Sequence, residues 1–153
     1  MLKIVIASDH GGLKLKSSVI THLKSEGIDV IDLGTDTPNF SVDYPDYAAK
    51  LANAMKQPDT KGILVCGSGI GMSIAINRYE WIRGALVCNE TSTRLSREHN
   101  NANVIIFGER LIGELTALSC VNVFLKTPFL EGRHLKRVEK LSMPKNLLKP
   151  QEK

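Results

Sequence analysis

Gly62-Ile63-Leu64-Val65-Cys66-Gly67-Ser68-Gly69-Ile70-Gly71-Met72-Ser73-Ile74-Ala75-Ile76-Asn77 is the stretch that decides the fold. Gly62 to Val65 is a short continuous apolar run, the pattern of a strand buried on both faces. Cys-Gly-Ser-Gly-Ile-Gly breaks it, and the spacing predicts a helix from Met72 to Asn77. A strand, a glycine-rich turn and a helix in this order make half of a parallel crossover unit.

The same alternation runs outward in both directions. Upstream, Leu2 to Ala7 reads as a strand, Leu13 to Glu26 as a helix stopped by Gly27, and Asp29 to Leu33 as a second strand. Pro45 suits the first turn of a helix reaching about Lys56. Downstream, Ile82 to Val87 and Val104 to Phe107 are strands four and five. Helices are expected over Thr91 to His99, over Gly113 to Lys126 and, as a basic segment, over Arg133 to Leu141. The expected fold is a doubly wound, Rossmann-like α/β domain: five parallel strands, helices on both faces and a basic C-terminal helix. One domain spans 1–145, with a tail over 146–153. Such folds bind ligands beyond the carboxyl ends of their strands.

Composition narrows the classes. The 153 residues suffice for one core, and no apolar run is long enough for a membrane span. Cys66, Cys88 and Cys120 are far apart, without a CxxC pair. That spacing argues for a reducing, cytoplasmic setting and against disulfides or a metal site. The formal charge is +4, and the segment from Lys126 onward holds eight Lys or Arg against three Glu, or +5, leaving −1 for the rest. That is a basic end, not the overall positive field of a nucleic-acid binder.

The expected carboxyl ends collect Ser8-Asp9-His10-Gly11-Gly12, the loop Gly67 to Gly71, and Gly108-Glu109-Arg110. Glycines opening a helix present N–H groups to a phosphate or a developing oxyanion, although they also serve tight turns. Cys66 could be an inert core thiol; beside that loop, its pKa can also fall from ~8.5 towards neutrality, making it a usable base. Asp9 could cap the first helix, and His99 could be a surface residue at a helix end. Arg133 and Arg137, one turn apart, suit a phosphate dianion as well as open solvent.

Taken in order, five strings resemble the ribose-5-phosphate isomerase B family, which also holds galactose-6-phosphate isomerase subunits and allose-6-phosphate isomerases. They are Ser8-Asp9-His10-Gly11-Gly12, Asp43-Tyr44-Pro45-Asp46-Tyr47-Ala48, Cys66-Gly67-Ser68-Gly69-Ile70-Gly71, Arg97-Glu98-His99-Asn100-Asn101-Ala102-Asn103-Val104 and Gly132-Arg133-His134 with Arg137-Val138. The resemblance implies interconversion of ribose 5-phosphate and ribulose 5-phosphate without metal or nucleotide. It makes Cys66 the base that moves the proton between C2 and C1, and His99 the group that opens the furanose. Asp9, His10 and Gly67, Ser68, Gly69, Ile70 and Gly71 would hold the sugar chain and the enediolate oxygens. Asn100, Arg110, Arg133 and Arg137 would bind the distal hydroxyls and the phosphate. Ser68 stands where the family usually has Thr, which keeps the hydroxyl. Met72 stands where a second subclass places a glutamate base, so the chain resembles the thiol type.

Topology adds one expectation. His99 and Asn100 close the fourth helix at the amino end of strand five, whereas Cys66 ends strand three. Those edges lie ~15 Å or more apart at ~3.3 Å per residue. One chain cannot easily bring His99 to Cys66, so a homodimer with shared sites is expected, with a tetramer also open. A six-carbon sugar phosphate remains an alternative substrate. A nucleotide-binding α/β module is a distant one, because Gly-x-Gly-x-Gly after the third strand is not the dinucleotide fingerprint.

Overall fold

The computed structural model describes residues 2–37 and 39–142; the expected tail over 146–153 lies outside them. β-Branched runs form five strands: β1 Lys3–Ser8, β2 Val30–Asp32, β3 Thr60–Cys66, β4 Gly84–Leu86 and β5 Val104–Gly108. The helices are α1 Leu13–Ser25, α2 Tyr44–Ala54, α3 Ile70–Ile76, α4 Glu90–Asn100, α5 Glu114–Lys126 and α6 Leu135–Leu141. One-turn 3₁₀ segments, His10–Gly12 and Gly132–His134, precede α1 and α6.

All neighbouring strands pair in parallel, in the order β2-β1-β3-β5-β4. Right-handed crossovers then dictate which helices cover which face. Ile4, Ile6, Ile63, Val65, Ile105 and Phe107 pack under Leu15, Val19 and Leu23 of α1 and Ala117, Val121 and Phe124 of α5. Val5, Ala7, Leu64, Cys66 and Ile106 pack under Ala48 and Leu51 of α2 and Met72 and Ile76 of α3. The chain leaves β3 towards the second face and leaves both neighbours, β1 and β5, towards the first. The loops therefore diverge around the end of β3, opening a crevice there.

Several expected boundaries shift. β2 and β4 keep only three ladder residues each, because both are edge strands with a single partner. α3 begins at Ile70 instead of Met72, so the glycine turn is shorter than expected. Gly69 there has φ +77°, and a Cβ on it would lie 2.5 Å from Leu86 Cδ1, which restricts the position to glycine. Pro45 does sit in the first turn of α2. The basic helix starts at Leu135, and Arg133 belongs to the preceding 3₁₀ turn. Cys120 is in the core, whereas Cys88 is exposed. Among the described residues, no helix is long and apolar enough to cross a membrane.

Candidate active site

Cys66 is the last residue of β3 and is 4% exposed at the floor of a cavity of about 250 Å³. Its Sγ accepts a hydrogen bond from the Gly69 N–H at 3.0 Å. Such a donor binds a thiolate more strongly than a thiol. The turn is possible only because Gly69 adopts a left-handed conformation that carries its N–H back over the sulfur. Ser68 Oγ accepts from Ile70 N at 3.3 Å, fixing the hydroxyl at the rim. The N–H groups of Gly67 and Ser68 have no backbone partner among the described residues and remain available to an oxygen of a bound molecule.

The walls come from the neighbouring loops. Asp9 Oδ1 accepts from Gly11 N at 2.9 Å and caps the short turn before α1 while also lining the cavity. His10 Nδ1 accepts from Val42 N at 3.2 Å, which in the neutral ring leaves the proton on Nε2. The loop after β5 is tied to the loop after β3 by Glu109 N to Cys66 O at 2.9 Å and Arg110 N to Gly67 O at 3.0 Å. Consequently the Arg110 guanidinium lies alongside Gly67, where a Cβ would approach Cζ to 3.4 Å. Glu109 Oε2 accepts from Leu15 N at 2.8 Å, locking that loop to the start of α1. The cavity between α1 and α5 is larger, about 760 Å³, but holds no thiol and shares only His10 with this one.

Asp9, His10, Gly67, Ser68, Gly71 and Arg110 thus gather around Cys66. Gly69 acts through its backbone, and the Ile70 side chain points outward, 53% exposed. His99, Asn100, Arg133 and Arg137 lie elsewhere. Parallel pairing sets Cys66 beside Gly108 and Gly62 beside Val104, and α4 ends just before Val104. Four residues of β5, about 13 Å, separate the two levels along the strands.

This second cluster has its own construction. Asn89 caps α4 by accepting from Ser92 N, and Asn101 ends it with φ +47°. Leu130 N donates to Glu98 O at 3.1 Å, which brings the following turn against the end of α4. There His134 stacks on His99, with ring centroids 4.3 Å apart and planes 12° from parallel. Burial, then the neighbouring charges of His99, Arg133 and Arg137, push the His134 pKa down. Arg133 and Arg137 are exposed on the same segment, and Asn100 faces a separate cleft of about 420 Å³ with Arg83 and Leu141. Among the described residues, neither arginine has an acidic partner within salt-bridge distance.

Three contributors were given no role by the sequence reading. Tyr44 lines the Cys66 cavity, and its ring covers Gly71, where a Cβ would lie 2.7 Å from Cζ. Glu109 braces the Arg110 loop, and His134 meets His99. Tyr44 and His134 both stand in the strings that carried the family resemblance, but nothing in their spacing marks which partner each meets.

A parallel α/β domain with a thiol beneath a glycine turn at its crevice, and a cationic cluster at the opposite edge, is the class defined by this geometry. A family model described as Ribose/Galactose Isomerase matches residues 4–141. The chain belongs to that family. It is 42% identical to the ribose-5-phosphate isomerase B of Escherichia coli K12, over 93% of this chain and 95% of that one. A solved ribose 5-phosphate isomerase from Thermotoga maritima superposes with a TM-score of 0.89 at 48% identity, covering 92% of this chain and 97% of that chain. The Mycoplasma genitalium ribose-5-phosphate isomerase B, solved with bound ribulose-5-phosphate, gives 0.88 at 38% identity, covering 92% and 94%.

Proposed function

We propose that this chain is a cytoplasmic aldose–ketose isomerase interconverting ribose 5-phosphate and ribulose 5-phosphate, working as a homodimer with shared sites. The observation that carries the reading is the Cys66 sulfur at the floor of the crevice, with the Gly69 N–H on it and the Gly67 and Ser68 N–H groups beside it. Membership of the ribose/galactose isomerase family and the ribulose-5-phosphate bound by the Mycoplasma relative support the substrate class.

The chemistry is a proton transfer between neighbouring carbons. Ring opening breaks C1–O4; the electron pair goes to O4, which takes a proton from His99. The O1 hydroxyl loses its proton through water, which restores the proton on His99, as C1 becomes a carbonyl. The Cys66 thiolate then removes the C2 proton, and the electron pair moves to O1 to give an enediolate held by the loop N–H groups. The resulting thiol returns that proton to C1, and the O2 hydroxyl proton passes to O1 as C2 becomes the carbonyl. A positioned base is worth ~10²–10⁴-fold, and each well-aimed oxyanion donor roughly 3 kcal/mol. No step in this scheme calls on a metal or a nucleotide.

Sharing between subunits follows from the separation of the two clusters. Next to the Cys66 loop, Ile70 and Ile74 of α3 and Leu86 of the edge strand β4 are exposed by 53%, 57% and 43%. A second copy covering this apolar face would bring its own His99, Asn100, Arg133 and Arg137 towards Cys66. The test is isomerase activity of the metal-chelated protein on ribose 5-phosphate and allose 6-phosphate, side by side. Preference for ribose 5-phosphate is expected. Preference for allose 6-phosphate would move the substrate to six carbons, and inactivity on both would refute the isomerase reading.

A further inference from the structure

The proton donor assigned to His99 must present one ring nitrogen along one direction, and a histidine at the end of a helix has two free side-chain torsions. Among the described residues, no carboxylate lies within salt-bridge distance of either imidazole and neither ring has a hydrogen-bond partner. What fixes the His99 ring is therefore a flat contact, the His134 imidazole 4.3 Å away and nearly parallel. His134 is itself well anchored. It is 8% exposed, its backbone N–H donates to Glu131 O at 2.9 Å, and Val138, one helical turn on within α6, is buried.

We propose that His134 is a positioning residue for ring opening: its ring is the platform that sets the plane in which His99 delivers its proton. This rests on the isomerase reading above and adds to it a residue that itself transfers no proton. The charged and titratable groups facing His134 are His99 from α4 and Arg133 and Arg137 from its own segment. All of them disfavour a charge on His134, so the platform is a neutral ring. Misplacement of a reacting group by about 1 Å costs on the order of 10²-fold, the scale at stake here.

Three proteins and two substrates test this: the wild type, His134→Ala and His134→Phe, each on ribose 5-phosphate and on erythrose 4-phosphate, which cannot close to a furanose and so skips ring opening. His134→Ala should lose about 10- to 100-fold in kcat on ribose 5-phosphate with KM moved less than about threefold. On erythrose 4-phosphate its loss should shrink to under about threefold. Phe keeps a flat, uncharged ring, so His134→Phe should recover most of the kcat and keep the wild-type pH profile. Equal losses on both substrates would overturn the proposal, because damage would then be general. A His134→Phe variant as poor as His134→Ala, despite a normal melting temperature, would overturn it as well. A wild type inactive on both substrates would refute the isomerase reading, and this inference with it.

Discussion

The carboxyl end of β3 and the amino end of β5 are built on opposite principles. Around Cys66 the parts are backbone: a left-handed Gly69, loop N–H groups, and inter-loop hydrogen bonds from Glu109 and Arg110. Their positions are set by the fold of one chain. Around His99 the parts are long or planar side chains on helix ends, with Arg133 and Arg137 exposed and lacking an acidic partner among the described residues. The first half is complete in a single chain. The second has charge and shape that nothing among the described residues of the same chain uses, and that difference is the physical argument for a dimer.

Changes in the first half should have the larger effects. Cys66→Ala removes the proposed base and should lower kcat by ~10³-fold or more, while calorimetry still detects ribose 5-phosphate binding within a few-fold of wild type. Near-normal turnover would break the division of labour. Gly69→Ala forces a Cβ into Leu86 and strains a φ of +77°, and should cost about 1–3 kcal/mol of stability together with much of the activity, read by thermal unfolding and steady-state kinetics. In the second half, Arg137→Ala should raise KM for ribose 5-phosphate by about 10- to 100-fold and change kcat less, because a charge-assisted contact to a phosphate is worth about 1.5–3 kcal/mol.

The smallest expected effect lies away from both halves. Burial, and then Arg97, lower the Lys61 pKa from 10.5 to about 8. Between about pH 8 and 10.5 the native chain binds fewer protons than the unfolded one, so stability should rise with pH across that window. The side chain is only half-buried and its Nζ donates to the Phe124 and Leu125 carbonyls, so screening limits the rise to about 1 kcal/mol. Lys61→Met should flatten it in denaturant titrations run at pH 8 and pH 10.

Much of this architecture is legible in the sequence, for reasons that differ by element. β1, β3 and β5 are central or nearly so, covered on both faces, and their continuous Ile, Leu and Val runs give them away. β2 and β4 have one neighbour each, so their apolar runs outlast their ladders. The Cys66 cavity is legible because its lining follows strand ends in chain order. The stack of His134 on His99 is not: it depends on Leu130 reaching Glu98 across a loop, a long-range contact with no periodic trace. Tyr44 is hidden similarly, since its role needs the close approach of α2 to Gly71. The order β2-β1-β3-β5-β4 is likewise invisible in an alternation of strands and helices, which leaves the direction of each crossover open.

The most direct test of the central claim, a site shared between two copies, is to mix the inactive variants Cys66→Ala and His99→Ala, let subunits exchange, and assay isomerase activity. Each mixed dimer holds one site with both groups intact, so random exchange should restore about a quarter of wild-type activity. No recovery, with mixed dimers verified by native mass spectrometry, would contradict the account.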